Sequence, residues 1–312
     1  MSFKILGIGE VLWDLLPTGP EMGGAPANFA YHAHALGARA QVITRIGSDR
    51  HGSEILWRFK EMGLPGLTVQ VDEAAPTGTV SVTLSGNGIP EFTIHENVAW
   101  DRMALVQTAL SAVSEADAVC FGSLAQRSQV SRRTIQRLVA ATAPSAWRIF
   151  DINLRQRFYD RDVIEHSLKL ANVLKLNDSE LPIVAELFGI GGPVRQVIET
   201  LAQRFGLQVV ALTRGPDGSL LYHGGRWSEQ AAGQVKIRDT VGAGDSFTAA
   251  LCLGLLGRME LDEINAAANQ VAAFVCGCVG ATPQLPDELR RLFAHAQRAT
   301  IPSVAAGITA SP

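Results

Sequence analysis

A chain of 312 residues, 47% of them hydrophobic, is long enough for one large α/β domain or two smaller ones, with ample apolar content for a core. Its 27 basic and 30 acidic residues give a formal net charge of −3 with no long run of either sign, which argues against nucleic acid or an anionic membrane as the main partner. The opening MSFKILGIGEVLWDLLP is broken by Glu10 and Asp14 and has no basic leader or cleavage site, and no apolar stretch is long enough to span a bilayer, so a soluble cytoplasmic protein is expected.

Lys4–Gly9 (KILGIG) is a short apolar run ending in glycine, the form of a buried parallel strand. Gly7 and Gly9 do not make a dinucleotide fingerprint, because the third glycine of that pattern falls on Leu12. Asp14 is expected just past this strand's carboxyl end, as a ligand contact or as a turn cap. Gly23-Gly24-Ala25-Pro26-Ala27-Asn28 then opens an apolar helix over Phe29–Leu36, closed by Gly37. Paired glycines allow close approach of a ligand, and Asn28 can both donate to and accept from hydroxyls; a tight turn with a helix-start Asn is the plainer alternative. Gln41–Arg45 is the next strand and a helix follows around Gly52–Met62.

Thr77–Ile94 changes character: β-branched and polar residues alternate about a Gly-Asn-Gly turn, the pattern of an exposed antiparallel hairpin. Within a strand–helix alternation this is a small appended sheet, expected to act as a lid, and its open edges make it a candidate homodimer surface. Strand–helix units then return, with strands at Ala118–Phe121, Trp147–Phe150, Ala171–Lys175 and Val209–Leu212, and helices at Ser131–Ala143, through Phe188 and at Val194–Phe205. Polar residues recur at the strand ends, namely Asp14, Asn153, Asn177, Glu180, Thr213 and Asp245, and six in register along alternating βα units point to a single crevice.

Lys236–Leu256 (KIRDTVGAGDSFTAALCLGLL) has a β-like lead-in, a loop of small residues at Gly242-Ala243-Gly244, then Asp245 and an unbroken apolar run that predicts a buried helix. A glycine loop at a helix start holds an anion on the unpaired first-turn amides, where the helix dipole is positive. A carboxylate there would repel that anion unless it faces an acceptor hydroxyl and takes its proton while the amides hold a transferred phosphoryl group. Beside the helix terminus Asp245 is expected to stay ionised and weakly basic. The competing reading of this stretch alone is an Asp N-cap after a glycine turn. Cys120, Cys252, Cys276 and Cys278 all lie in apolar runs and are expected as buried reduced thiols, and Ile301–Pro312 as a loose tail.

Three motifs in order resemble the PfkB/ribokinase family of sugar and nucleoside kinases: Gly23-Gly24 with Asn28, Ala30, Gly37 and Gly47; Asn177–Glu180 as Asn-x-x-Glu; and Asp239-Thr-Val-Gly-Ala-Gly-Asp245. The resemblance covers nearly the whole chain. It implies one ribokinase-like α/β domain over residues 1–300, three layers deep, with a mostly parallel sheet flanked by helices and a lid formed by about 11–20 and 76–98. It implies ATP-dependent phosphorylation of a hydroxymethyl group. Asp245 resembles the family's catalytic base, and Gly242, Ala243 and Gly244 its anion hole. Asn177 and Glu180 match the motif that organises Mg²⁺ through water. Asp14, Gly24 and Asn28 match sugar-binding positions, Thr213 and Gly215 a phosphate loop, and Asn269 the adenine side. Asp239 and Val241, with carbonyls around Val275, Cys278 and Gly280, match the K⁺ site of some relatives, although Gln284 stands where these often have a small hydroxyl residue.

Within the family the stretches GEVLWDLLP, NVAWD, FGSLAQR, DINLRQRFY and LKLNDSEL resemble the bacterial fructokinase branch. The Gly24–Asn28 loop has no Lys to meet a second phosphate, which implies an unphosphorylated sugar such as D-fructose. The alternative is 2-keto-3-deoxygluconate kinase, in which Arg155, next to Asn153, pairs with a substrate carboxylate unless it is held by the protein's own carboxylates. Two readings outside enzymology remain at this point: a sugar-sensing pseudokinase and a purely structural α/β protein.

Overall fold

The computed structural model describes residues 2–84 and 90–294; the Gly-Asn-Gly turn and the Ile301–Pro312 tail lie outside the described residues. In chain order the strands are β1 (Lys4–Ile8), β2 (Leu12–Leu16), β3 (Gly19–Gly23), β4 (Arg39–Gly47), β5 (Val69–Asp72), β6 (Gly78–Leu84), β7 (Pro90–Ile94), β8 (Ala118–Phe121), β9 (Trp147–Asp151), β10 (Val173–Asn177), β11 (Val209–Thr213), β12 (Ser219–His223) and β13 (Arg226–Gln230). The helices are α1 (Ala25–Ala35), α2 (Arg50–Glu61), α3 (Gln107–Ser114), α4 (Gln129–Ala140), α5 (Arg161–Leu170), α6 (Glu180–Phe188), α7 (Val194–Phe205), α8 (Ala243–Leu256), α9 (Leu261–Cys276) and α10 (Asp287–Arg291).

A nine-stranded sheet in the order β13-β12-β11-β10-β9-β8-β1-β4-β5 forms the middle layer, parallel except for β12 and β13 at one edge. Strands buried on both faces need apolar residues at every position, so these read as continuous runs. Their alternation still sorts the two cores. Ile8, Phe121, Phe150, Leu174 and Leu212 face one cluster with α3 to α7, whereas Ile5, Val42, Ile149, Val173 and Val209 face the other with α1, α2, α8 and α9. Helix α8 lies in that second core, and its buried run from Asp245 to Leu255 explains its all-round apolar sequence.

A second, four-stranded sheet in the order β3-β2-β6-β7 stands apart from the first. It takes up both predicted segments and extends the first to Gly23. Asp14, which follows the end of β1, therefore lies inside β2 of the small sheet, opposite Glu21 on β3 and Val80 on β6, and is not a turn cap. The cause is Gly9 (φ 147), which turns the chain straight from β1 toward the small sheet.

Three further expectations are corrected. The lead-in to the glycine loop is not a strand: the Arg238 and Asp239 N–H groups both reach the Cys276 carbonyl, so the segment is tied to the end of α9. Helix α1 begins at Ala25, four residues before the predicted Phe29, because Pro26 fits a first turn. All four cysteines are free, but only Cys120 and Cys252 are buried; Cys276 and Cys278 lie half-buried at the exposed end of α9. Among the described residues no helix is long and apolar enough to cross a membrane.

Candidate active site

The two glycine motifs, far apart in sequence, meet at one hydrogen bond: Asn28 Nδ2 donates to Asp245 Oδ2 at 2.8 Å. Asn28 is on the first turns of α1 and Asp245 on the first turn of α8, and both are buried. Backbone approach makes this contact possible. Gly24 adopts φ 117, and a Cβ there would sit 2.5 Å from the Glu10 carbonyl oxygen. Gly242, the residue preceding α8, adopts φ 78, and a Cβ there would sit 2.3 Å from the Ala281 carbonyl oxygen. Helix geometry leaves the N–H groups of Gly244 and Asp245 without intrahelical acceptors, while Ala243 N–H reaches the Thr240 carbonyl at 3.3 Å.

Around this pair the sheet ends supply polar groups. The Asp14 carboxylate lies against Gly23, where an added Cβ would be 2.6 Å from its Oδ2. Asn153 holds φ 43 and accepts from Arg155 Nη2 at 2.8 Å; Arg155 also donates to its own neighbour's carbonyl, Leu154. Among the described residues Arg155 makes no ion pair within the protein, yet its charge opposes the burial that raises the pKa of Asp14, Glu10 and Asp245. Two buried acceptor atoms, Asn28 Oδ1 and Glu10 Oε2, have no hydrogen-bond partner in the protein. Unmatched acceptors at a buried site are costly unless a donor such as a hydroxyl meets them.

Asn177 and Thr213 lie directly opposite each other at the ends of β10 and β11. Asn177 and Glu180 form a reciprocal box: Asn177 Oδ1 accepts from the Ser179 and Glu180 amides, and Glu180 Oε2 accepts from Asn177 N–H, each at 2.9 Å. Glu180 Oε1 accepts from Leu154 N–H, also at 2.9 Å, which ties the β9 loop to α6. Burial raises the Glu180 carboxyl, and Lys175 with these amides opposes it. Asn177 Oδ1 also accepts from the Ser179 hydroxyl at 2.7 Å and is fully engaged, whereas each Glu180 oxygen accepts one bond and keeps a lone pair. Glu180 is thus the member suited to a hard cation held through water; no cluster of three or more metal-binding side chains occurs among the described residues. Gly215, at φ 52, begins the turn after Thr213.

The cation-related and adenine-related candidates are engaged within the fold. Asp239 accepts from the Val241 and Gly280 amides at 3.0 and 3.1 Å, and the Val275 carbonyl accepts from Cys278 N–H. Asn269 spends its amide N–H groups on Ser219 Oγ and the Asn265 carbonyl, at 2.6 and 2.8 Å.

Asp245 differs from expectation in its basicity. Burial first, and then the Asp151 charge, push its carboxyl up to about 6, against the Asn28 N–H, Lys175 and Arg155. Desolvation outweighs the helix dipole because the carboxylate is enclosed and not at an exposed terminus. Sequence reasoning missed three charged neighbours. Glu10 is 4% exposed and raised by burial to about 7, and Lys175 and Asp151 form a buried ion pair at 3.1 Å. A lysine inside the apolar strand VLKLN was the available signal, since such a strand buries it.

A family profile described as "pfkB family carbohydrate kinase" matches residues 19–288. An uncharacterized sugar kinase, PH1459, from Pyrococcus horikoshii is 31% identical over 288 residues, 86% of this chain and 88% of the relative. A fructokinase from Klebsiella pneumoniae is 30% identical over 310 residues, 93% of this chain and 99% of the relative. The crystal structure of PH1459 in complex with ATP superposes with a TM-score of 0.80 at 30% identity, covering 94% of this chain and 98% of that one. A Xylella fastidiosa fructokinase with bound ATP gives 0.80 at 22% identity over 94% and 98% of the two chains, a likeness of fold alone.

Proposed function

Because this chain belongs to the pfkB carbohydrate kinase family, we propose that it moves the γ-phosphoryl group of ATP to a primary hydroxyl of an unphosphorylated sugar, with D-fructose to fructose 6-phosphate as the leading reaction. The observation that carries this reading is the Asn28–Asp245 hydrogen bond, which brings the sugar-side loop and the anion loop to one point. Asn28 Nδ2 orients one carboxylate oxygen of Asp245, and the other is left to accept the proton of the acceptor hydroxyl. The Gly244 and Asp245 amides face the charge that develops on the transferred group. Asp14, Gly24 and Asn28 hold the sugar, with Asn28 Oδ1 and Glu10 Oε2 accepting from its hydroxyls. The small sheet closes over the sugar and excludes water.

Thr213 and Gly215 line the phosphate side. Glu180, with Asn177 beside it, would hold Mg²⁺ through water, and that ion, when bound, neutralises phosphate charge. A second reading, 2-keto-3-deoxygluconate as acceptor, is favoured by one observation: Arg155 makes no ion pair within the protein among the described residues, so its guanidinium is open to a carboxylate.

Coupled ADP production over fructose, 2-keto-3-deoxygluconate, ribose, fructose 6-phosphate and adenosine tests both. Fructose is expected to give the highest kcat/KM, with Arg155→Met changing it little. If the keto acid wins and Arg155→Met lowers its kcat/KM by about 100-fold, the size of a lost charge pair, the second reading replaces the first. No ADP with any acceptor overturns both.

A further inference from the structure

Beneath the anion loop lies a charged group that the reaction just proposed does not use. Lys175 is on β10, on the same face as Val173 and toward α8, while Leu174 and Leu176 face the opposite core. Its Nζ donates to Asp151 Oδ1 at 3.1 Å, and both side chains are 5% exposed. Thr248 Oγ1 lies 2.8 Å from Asp151 Oδ2 and 2.9 Å from the Gly244 carbonyl; its single proton is drawn to the carboxylate, the stronger acceptor. Lys175 Nζ also comes within 3.0 Å of where a Cβ on Gly244 would be. The pair thus sits under the start of α8, bonded to Thr248 through Asp151 and close to Gly244 through Lys175.

A buried ion pair is an expensive way to fill a strand position. Removing two charges from water is costly, and an apolar pair of the same volume is often as stable or more so. Among its apolar strand neighbours this pair therefore calls for a reason beyond packing.

We propose that Lys175 and Asp151 are positioning residues for phosphoryl transfer: a buried pair of opposite charges seated under Gly244 at the start of α8 that act on the Asp245 carboxylate in opposite senses. This rests on Asp245 being the base of the proposed reaction. The groups facing Asp245 are Asn28 from α1, Glu10 from the β1–β2 turn, Cys120 from β8, Asp151 and Arg155 from β9 and the loop after it, and Lys175 from β10. Cys120 stays a neutral thiol, raised well above its ordinary value by burial. Lys175 stands as the cation of the 3.1 Å ion pair with Asp151. Asp151 therefore makes Asp245 a stronger base, and Lys175 keeps that base ionised at neutral pH.

The test follows the Asp245 carboxyl by 13C NMR titration, assigned by its loss in Asp245→Asn, in the full-length wild type, Lys175→Met, Asp151→Asn and the double variant. The acid limb of kcat/KM is read in parallel. Lys175→Met is expected to move the titration up, and Asp151→Asn to move it down, each by roughly half a pH unit or more, a modest share of what a nearby charge does. The double variant falls between them. If a single variant does not fold, the double, which leaves no orphan charge, is compared with the single that does, and the same directions are required. Superimposable titrations, or both singles moving the same way, overturn the proposal. Expected shifts without phosphorylation of any sugar would instead overturn the assigned reaction and leave the charge pair standing.

Discussion

In the proposed reaction Asp245 is the base, and its burial carries a stability cost. Its carboxyl is raised from 3.8 to about 6, chiefly by burial, so the folded protein binds a proton there that the unfolded chain has already lost. Stability contributed by the protonated form is thus lost as pH rises from about 4 to 6, on the order of 3 kcal/mol by pH 7. Asp245→Asn is therefore expected to lower kcat by about 10²-fold or more and, at the same time, to raise the melting temperature at pH 7.5. That gain should shrink as the pH falls from about 6 toward 4, where wild-type Asp245 is protonated as well. Melting curves at three pH values check it, and a variant no more stable than wild type at pH 7.5 contradicts the burial argument. The sequence named Asp245, Asn28 and Asp14 from motif and strand-end position, but not Glu10, Lys175 or Asp151. These three matter through burial and mutual distance, which spacing along a chain does not encode.

At the scale of elements, the parallel strands other than the part-exposed edge strand β5 were legible because burial on both faces demands unbroken apolar runs. The small sheet was legible because one exposed face demands alternation. Misplacements occurred where a local rule met a tertiary contact. Asp14 reads as a loop residue, but β2 pairs with both β3 and β6. The segment before Gly242 reads as β-like, but its amides are taken by the Cys276 carbonyl. The four-stranded sheet β3-β2-β6-β7 carries Asp14 on β2, and in the proposed reaction its closure over a bound sugar should slow hydrogen exchange in β2 and β6. Without sugar, ATP hydrolysis should run at a small fraction of the kinase rate, because an open sheet leaves the anion loop unfinished. Brisk sugar-free hydrolysis together with unchanged exchange in β2 would remove the lid from the mechanism.

For the whole molecule, a ligand that binds only the folded state adds about 2.7 kcal/mol at a hundredfold excess over Kd. Saturating sugar with a non-hydrolysable Mg-ATP analogue should raise the melting temperature by more than either alone, as a shared crevice requires. A flat response would return the chain to the purely structural reading, and a shift without ADP formation to the sugar-sensing one. Local and periodic properties were determined by the sequence by itself: that most central strands and their following helices alternate as βα units, and that two glycine loops precede helices. These follow from side-chain patterning and glycine chemistry, which act over a few residues. Only the tertiary structure decided that Asn28 meets Asp245 across 217 positions, that Lys175 neutralises Asp151 under Gly244, and that burial makes Asp245 a stronger base than a helix terminus alone would. The physical reason is that desolvation and Coulomb terms depend on distances through space, and those exist only once the nine-stranded sheet has assembled.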